Sequence, residues 1–296
     1  MKKTVEIKKQ IKWVGMGCLL IFSCLLCGCS NDKGAASSQE QTTAVTSTEE
    51  LTTTEEPTTA ISDYDAFSNE KYAWWFKRNT EHKQSGCQED FDITQYNAYY
   101  LGENPEEKVI YLTFDCGYEN GFTPDILNTL KEQGVQAAFF VTQTFIRDNV
   151  ELTKQMKEEG HLVCNHTVTH PSMPDLTVEE MKQEIIECDA YMKEATGYTM
   201  DKFIRPPRGE YSQRTLQLCK DLGYQTVFWS IAYLDYDVNN QPGTGYVVEH
   251  FSKYHHPGAV VLMHNVSSAN AAALSDVIEL LKKEGYTFAS LWDLAK

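Results

Sequence analysis

Basic residues are scarce in this sequence of 296 residues. Lysine and arginine number 26 against 42 aspartates and glutamates, and the formal net charge is −16. A nucleic-acid-binding protein needs a basic face to neutralise phosphates, so this composition argues against a nucleic-acid partner. The hydrophobic fraction of 42% suffices for a globular core, and the length fits one or two domains.

Long hydrophobic runs are also missing, apart from one near the N-terminus. Residues 13–29 carry no charge and follow a lysine-rich start. This combination is typical of an export signal, and the run is short for a comfortable membrane span.

The hydrophobic run ends in Leu26-Cys-Gly-Cys29, which resembles a bacterial lipobox. We therefore expect residues 1–29 to be a lipoprotein-type signal peptide and Cys29 to carry lipid. The lipid would tether the exported protein to the outer face of the cell membrane, facing the wall. An ordinary signal peptide and a single anchor helix are the alternatives.

Core-forming residues are absent from the next stretch. Residues 31–62 consist mainly of Thr, Ser and Glu, so we predict a disordered linker over residues 30–62. Residues 63–107 are rich in aromatic side chains and are expected to pack on the main domain as an N-terminal cap segment. A sugar-stacking role for Trp74 and Trp75 is the alternative.

A disulfide framework is not indicated, although the chain has nine cysteines. Four of them fall within residues 1–29, and the remaining five are an odd number with no CxxC spacing. Cys188 and Cys219 lie in helical patterns and are expected to be small buried hydrophobic residues. No feature of the sequence points to a protein partner.

Strand and helix patterns alternate from residue 108 to the end. Such alternation predicts an α/β domain over residues 108–296, with a parallel sheet and helices outside it. About seven repeats favour a distorted (β/α)7-type barrel. The predicted strands cover residues 109–114, 136–142, 161–165, 202–205, 224–230, 259–264 and 286–289.

Polar residues closely follow several of these strands. They are Asp115, His166, Arg205, Asp235 and His264. In parallel barrels the carboxyl ends of the strands meet at one mouth, where chemistry is performed, so these residues predict a single site.

The spacing His166-x-x-x-His170 predicts a metal site if the backbone turns tightly there. Thr167 stands where the H-E-x-x-H motif of zinc proteases has its glutamate, which excludes that class. In isolation, one buried and one surface histidine is an equally good interpretation.

Chemistry assigns a role to each of the other polar residues. Asp115 could take a proton from metal-activated water, and Arg205 could hold that carboxylate ionised. His264 could protonate a leaving amine, with Asp235 keeping the imidazole protonated. Each residue, taken alone, could equally be a capping or core-edge polar group.

These stretches resemble the ordered motifs of the NodB-type polysaccharide deacetylases, carbohydrate esterase family 4. The motifs read Thr113-Phe-Asp-Cys-Gly117, His166-Thr-Val-Thr-His170, Arg205-Pro-Pro-Arg-Gly209, Asp235-Tyr236 and Leu262-Met-His264. Within the family, "YLTFDCGYENGFTP", "RPPRGEYS", "LGYQTVFWS" and "NNQPG" resemble the delta-lactam-biosynthetic de-N-acetylases of spore-forming bacteria.

The resemblance implies an enzyme that removes acetyl from N-acetylmuramic acid in the glycan strands of peptidoglycan. The freed amine would then close into muramic delta-lactam in the spore cortex. The resemblance further implies that Asp115 is the general base, His264 the general acid, and Arg205 and Asp235 their partners. His166 and His170 would bind a divalent metal, usually zinc. Leu262 would line the acetyl pocket, and the Arg208 backbone N–H would stabilise the oxyanion.

Two residues depart from the broad family. Cys116 stands where a carboxylate ligand is usual, and a thiolate is a good zinc ligand, so a site of Cys116 and the two histidines is expected. A tolerated filler and a disulfide with Cys164 are the alternatives.

Arg208 replaces an aromatic residue and could recognise the lactyl carboxylate of muramic acid. A deacetylase of N-acetylglucosamine or another glycan, and a non-catalytic glycan-binding module, are the alternative functions.

Overall fold

The computed structural model describes residues 63–88 and 90–294. The predicted signal peptide, the lipidation site at Cys29 and the linker lie outside these residues. Within the described ranges, no helix has the length and apolar character needed to span a membrane.

Alternating strands and helices make up the domain, as the sequence predicts. The strands are β1 (Tyr72–Ala73), β2 (Phe76–Lys77), β3 (Gly86–Cys87), β4 (Ala98–Tyr99), β5 (Val109–Cys116), β6 (Ala138–Val141), β7 (Leu162–Asn165), β8 (Asp201–Ile204), β9 (Glu210–Tyr211), β10 (Gln225–Val227), β11 (Ala259–His264) and β12 (Thr287–Phe288). The helices are α1 (Thr123–Gln133), α2 (Gln143–Asp148), α3 (Val150–Glu158), α4 (Val178–Thr196), α5 (Gln213–Asp221), α6 (Thr244–Tyr254) and α7 (Ser268–Lys283).

The main sheet is parallel and curled. Its order is β11-β5-β6-β7-β8-β10-β4, and β12 pairs with the start of β5. Two isolated bridges, Ile231 with Val261 and Leu101 with Ala259, connect the β10–β4 side back to β11. The predicted distorted (β/α)7-type barrel is therefore confirmed as a curled half-barrel, whose two edges are joined by these two isolated bridges.

Both faces of the sheet are buried, which explains the unbroken hydrophobic run of β5. All eight residues of β5 are buried. Side chains alternate across a strand, so Ile110 and Phe114 join the helix-facing core, while Val109 and Tyr111 belong to the cluster inside the curl. This alternation decides which side chains of β5 can reach the site.

The cap segment, residues 63–107, contributes strands that pair with strands of the main domain. Its strand β4 extends the main sheet, and β1 pairs with β9. Trp74 is 8% exposed and stacks on Phe228 with ring centroids 4.4 Å apart, whereas Trp75 is 53% exposed. Trp74 is thus a core residue of the cap, and the sugar-stacking alternative is wrong for it.

Candidate active site

Strand ends bring the predicted polar residues to one mouth of the curled sheet. Asp115 is the penultimate residue of β5 and lies in register with His264, the last residue of β11. His166 directly follows β7, and Arg205 directly follows β8. A cavity of about 620 Å³ opens here, lined by Asp115, Gly117, Tyr118, His166, His170, Arg208, Gly209, Trp229, Tyr236, Leu262, His264, Asn265 and Val266.

Asp115 and Arg205 form a buried ion pair. The Arg205 Nη1 donates to Asp115 Oδ1 at 2.6 Å, and the arginine is fully buried. The guanidinium lies over the Phe140 ring at 4.1 Å and donates through Nε to the Val227 carbonyl. Burial alone would raise the pKa of Asp115, but the charge and hydrogen bond of Arg205 outweigh it, and the pKa is lowered. The carboxylate therefore stays ionised and can accept a proton.

His264 is held by a second buried carboxylate. Asp235 is 1% exposed and accepts hydrogen bonds from His264 Nδ1 at 2.7 Å, from His264 N at 2.8 Å and from Asn270 Nδ2 at 2.6 Å. Burial opposes protonation of the imidazole, but the hydrogen bond and charge of Asp235 outweigh it, and the pKa of His264 is raised. His264 can therefore carry a proton at Nε2 near neutral pH.

The two histidines of the H-x3-H motif come together in a tight turn. Thr167 and His170 adopt positive φ angles of 70° and 60°, which close the turn. The ring centroids of His166 and His170 are 4.8 Å apart, with the ring planes at 71°. His166 Nδ1 donates to the Arg205 carbonyl at 2.8 Å, so its Nε2 carries the lone pair, 3.6 Å from Asp115 Oδ2.

Burial keeps the imidazoles of His166 and His170 neutral. Burial, acting against the charge of Asp115, lowers the pKa of His166 to about 4, and burial also lowers the pKa of His170. Neutral imidazoles are metal ligands, and a ring fixed through its other nitrogen is the usual arrangement in metal sites. His166 and His170 therefore fit a divalent cation as two of its ligands.

Cys116 does not join the histidines. Its side chain points to the opposite face of β5 from Asp115, into the core beside Phe139 and Val141, and burial raises the pKa of its thiol well above the ordinary value. In the ranges 63–88 and 90–294, no group of three His, Cys, Asp or Glu side chains could hold a metal ion. The prediction of Cys116 as a third ligand is thus corrected, because strand alternation turns the thiol away from the cavity.

The disulfide alternative is also wrong. Cys116 and Cys164 are both free. Cys164 belongs to the cluster inside the curl, and Cys116 to the helix-facing core. Both cysteines are buried packing residues.

Arg208 and Leu262 line the cavity, as the sequence predicts. The Arg208 side chain is exposed, and it donates to no other group of the described residues. Its φ of 61° carries the chain into Gly209, where a side chain would collide with Trp229. Sequence reasoning missed Trp229 and Tyr118 on the cavity wall, because the predicted strand 224–230 included Trp229, whereas β10 ends at Val227.

Glu184 is a further residue that sequence reasoning missed. From α4 it accepts hydrogen bonds from Val168 N at 2.9 Å, Thr169 N at 2.8 Å and Thr169 Oγ1 at 2.7 Å. It thereby holds the turn between His166 and His170.

Comparisons with known proteins agree with this geometry. The family model "Polysaccharide deacetylase" matches residues 102–227. The peptidoglycan-N-acetylmuramic acid deacetylase PdaA of Bacillus subtilis is 46% identical over 78% of this chain and 88% of its own length. The solved structure of PdaA, a family 4 carbohydrate esterase, matches with a TM-score of 0.74 at 45% identity, over 77% of this chain and 97% of that one.

Two other relatives show the range of the similarity. A peptidoglycan-N-acetylglucosamine deacetylase of Bacillus cereus is 31% identical over 70% of this chain and 96% of its own. A family 4 pseudoenzyme of Bacillus anthracis, BA3943, matches with a TM-score of 0.63 at 26% identity, over 71% of this chain and 72% of that one. The resemblance drawn from the sequence motifs is confirmed.

Proposed function

Because the chain belongs to the polysaccharide deacetylase family, carbohydrate esterase family 4, we propose that it removes acetyl from N-acetylmuramic acid in peptidoglycan. The active deacetylases of this family are divalent-metal-dependent amide hydrolases. The observation that carries the proposal is the pair of preset proton-transfer groups across one cavity. Asp115 is held ionised by Arg205, and His264 is held protonated by Asp235.

The chemistry follows from these charge states. A divalent metal on His166 and His170, which we propose is zinc, would supply Lewis-acid polarisation of the acetyl carbonyl. Asp115 takes a proton from the attacking water as the new carbon–oxygen bond forms. His264 gives its Nε2 proton to the amine as the carbon–nitrogen bond breaks. The products are acetate and a free amino sugar.

Arg208 supports muramic acid over glucosamine as the substrate. An unpaired guanidinium at the cavity wall can form two parallel hydrogen bonds to a carboxylate, and the lactyl group of muramic acid supplies one. Glucosamine has no carboxylate. Replacing Arg208 with alanine should raise KM for muramic substrates about tenfold and leave KM for glucosamine substrates unchanged. Equal effects on both sugars would contradict this role.

The wider setting is proposed on the motifs and the relatives. The freed amine would close on the lactyl carboxyl to give muramic delta-lactam, as in the spore cortex. A lipid on Cys29 would place the domain on the outer face of the membrane, within reach of the wall.

A non-catalytic glycan-binding module is the second candidate. It is favoured by the two-histidine metal site, which lacks a third protein ligand among the described residues, and by the likeness to the pseudoenzyme BA3943. Deacetylation of N-acetylglucosamine is the alternative within the enzyme class, supported by the Bacillus cereus relative.

The deciding experiment incubates the zinc-loaded full chain with peptidoglycan strands, with and without stem peptides. Mass spectrometry then assigns any lost acetyl to one of the two sugars. Loss from muramic acid supports the proposal, and loss only from glucosamine replaces it with the alternative substrate. A folded protein that binds strands without any loss of acetyl would be a binding module.

A further inference from the structure

A second concave surface lies beside the active-site cavity. Two hollows, of about 440 Å³ and about 130 Å³, share Arg78 and Tyr246 as lining residues. We call their union the Arg78 groove; its other lining residues used below are Leu234, Asn240, His250 and Lys253.

The groove and the active-site cavity share one loop. Tyr236 lines the cavity, while Leu234, two residues earlier, lines the groove, and Asp235 between them holds His264. The cap segment runs along the same edge, since Trp74 N donates to the Gly209 carbonyl and Arg78 Nη2 donates to the Ala232 carbonyl at 2.7 Å. A polymer that occupies both the cavity and the groove therefore crosses the loop of residues 234–236.

Charge in the groove is positive, in a protein whose net charge is strongly negative. Lys253 is paired with Glu249 at 2.5 Å, which leaves the Arg78 guanidinium as the uncompensated charge there. Arg78 is exposed and uses Nη2 on the Ala232 carbonyl, so its other N–H groups can reach a ligand. Such a guanidinium favours a carboxylate.

Apolar and unpaired polar groups complete the surface. Leu234 is 73% exposed and Tyr246 is 49% exposed, and exposed rings and alkyl groups pack on sugar faces. His250 is 3% exposed, yet its Nε2 has no hydrogen-bond partner among the described residues. A buried polar atom without a partner, on the wall of a hollow, points to a ligand that supplies one.

We propose that the Arg78 groove is a second binding site for the peptidoglycan strand, in which Arg78 pairs with a carboxylate outside the sugar being deacetylated. This inference rests on the proposed peptidoglycan substrate. The carboxylate comes either from the lactyl group of a neighbouring muramic acid or from a stem peptide. The groove would thus select long strands over short fragments, without taking part in the chemistry.

The test compares full-chain variants on long strands and on a disaccharide of the two peptidoglycan sugars. Arg78→Ala removes the charge, and Asn240→Asp adds a repelling carboxylate while leaving the Arg78–Ala232 contact in place. Matched controls are Lys77→Ala and Asn239→Asp, which change exposed neighbours outside the groove. Strand binding is measured directly by calorimetry, alongside KM and kcat.

Both groove variants should bind long strands about tenfold more weakly, with a matching rise in KM, unchanged kcat and unchanged kinetics on the disaccharide. Amidation of the strand carboxylates should abolish the difference from the wild type. An effect confined to peptide-bearing strands assigns the carboxylate to the stem peptide. An effect confined to peptide-free strands assigns it to the lactyl group, whose carboxyl is an amide wherever a stem peptide is attached, and an effect on both shows that Arg78 accepts either carboxylate.

Wild-type strand affinity in both groove variants would overturn the inference, as would an equal loss on the disaccharide. Since binding is measured separately from turnover, weaker strand binding in a chain that removes no acetyl would refute the proposed reaction and support the groove.

Discussion

Replacement of Asp235 by asparagine tests the proposed acid most directly. The Asp235 carboxylate accepts three hydrogen bonds, from His264 Nδ1, His264 N and Asn270 Nδ2. An asparagine oxygen can serve the last two donors only if its NH₂ group faces His264 Nδ1. The imidazole then loses its negative partner and is left as a neutral ring with Nδ1 as the acceptor, which is a poor acid.

The magnitude follows from what the pair supplies. A positioned general acid contributes about 10²- to 10⁴-fold to a rate, and a hydrogen bond to a charged group contributes about 1.5–3 kcal/mol. We therefore expect Asp235→Asn to lower kcat/KM at least about 10²-fold near neutral pH. The alkaline limb of the pH profile should move to lower pH, because Asp235 raises the pKa of His264.

The Asp235→Asn substitution should also lower the free energy of unfolding, and this loss should depend on pH. A histidine whose pKa is raised in the folded state contributes stability that is fully present below its unfolded pKa and is lost as pH rises through the folded pKa. The destabilisation by Asp235→Asn, measured by urea unfolding, should therefore be larger at about pH 5 than at about pH 9. Asp237→Asn, an exposed carboxylate in the same loop, is the matched control.

An unchanged pH profile with a uniformly lower rate would show that Asp235 only positions the ring. Wild-type activity in the variant would refute the assignment of His264 as an acid tuned by Asp235.

Three further predictions concern the core and the turn of the paired histidines. Glu184→Ala should weaken zinc binding about 10- to 100-fold by calorimetry, with Glu187→Ala on the same helix as the control, because Glu184 holds that turn; equal affinities would refute it. Cys116→Ser should destabilise the fold by about 1–3 kcal/mol in urea and leave zinc affinity unchanged, and a fall in affinity would restore the thiol as a ligand. Trp74→Ala should cost about 3–5 kcal/mol of unfolding free energy, whereas the exposed Trp75→Ala should cost little; similar losses would contradict the assignment of Trp74 to the core.

Sequence patterns predicted most of the fold and the charged pairs of the site. Strand–helix alternation was sufficient for the parallel sheet, because buried strands read as continuous hydrophobic runs. The contacts of Asp115 with Arg205 and of Asp235 with His264 were predictable, since each residue closely follows a strand and opposite charges meet at the shared mouth.

Other features were not predicted. Strand β4 has only two residues and lies within the aromatic cap segment, so no periodicity reveals it. Glu184 is far along the chain from the turn that it holds, on a helix whose exposed face is rich in carboxylates. The orientation of Cys116 could have been inferred from the alternation of β5, but the family motif, with its two adjacent carboxylates, pointed the other way.

The orientation of Cys116 separates the two parts of the site. Asp115 is paired with Arg205, and His264 is paired with Asp235. The charge states of Asp115 and His264 are therefore set by these protein partners rather than by a cation. The cation site, by contrast, has two neutral histidines and no third protein ligand among residues 63–88 and 90–294. Fewer ligands weaken metal binding, and the hydrogen bonds that fix the histidine turn offset part of that loss. Metal occupancy, rather than the geometry of the proton-transfer groups, should therefore limit the activity of this protein.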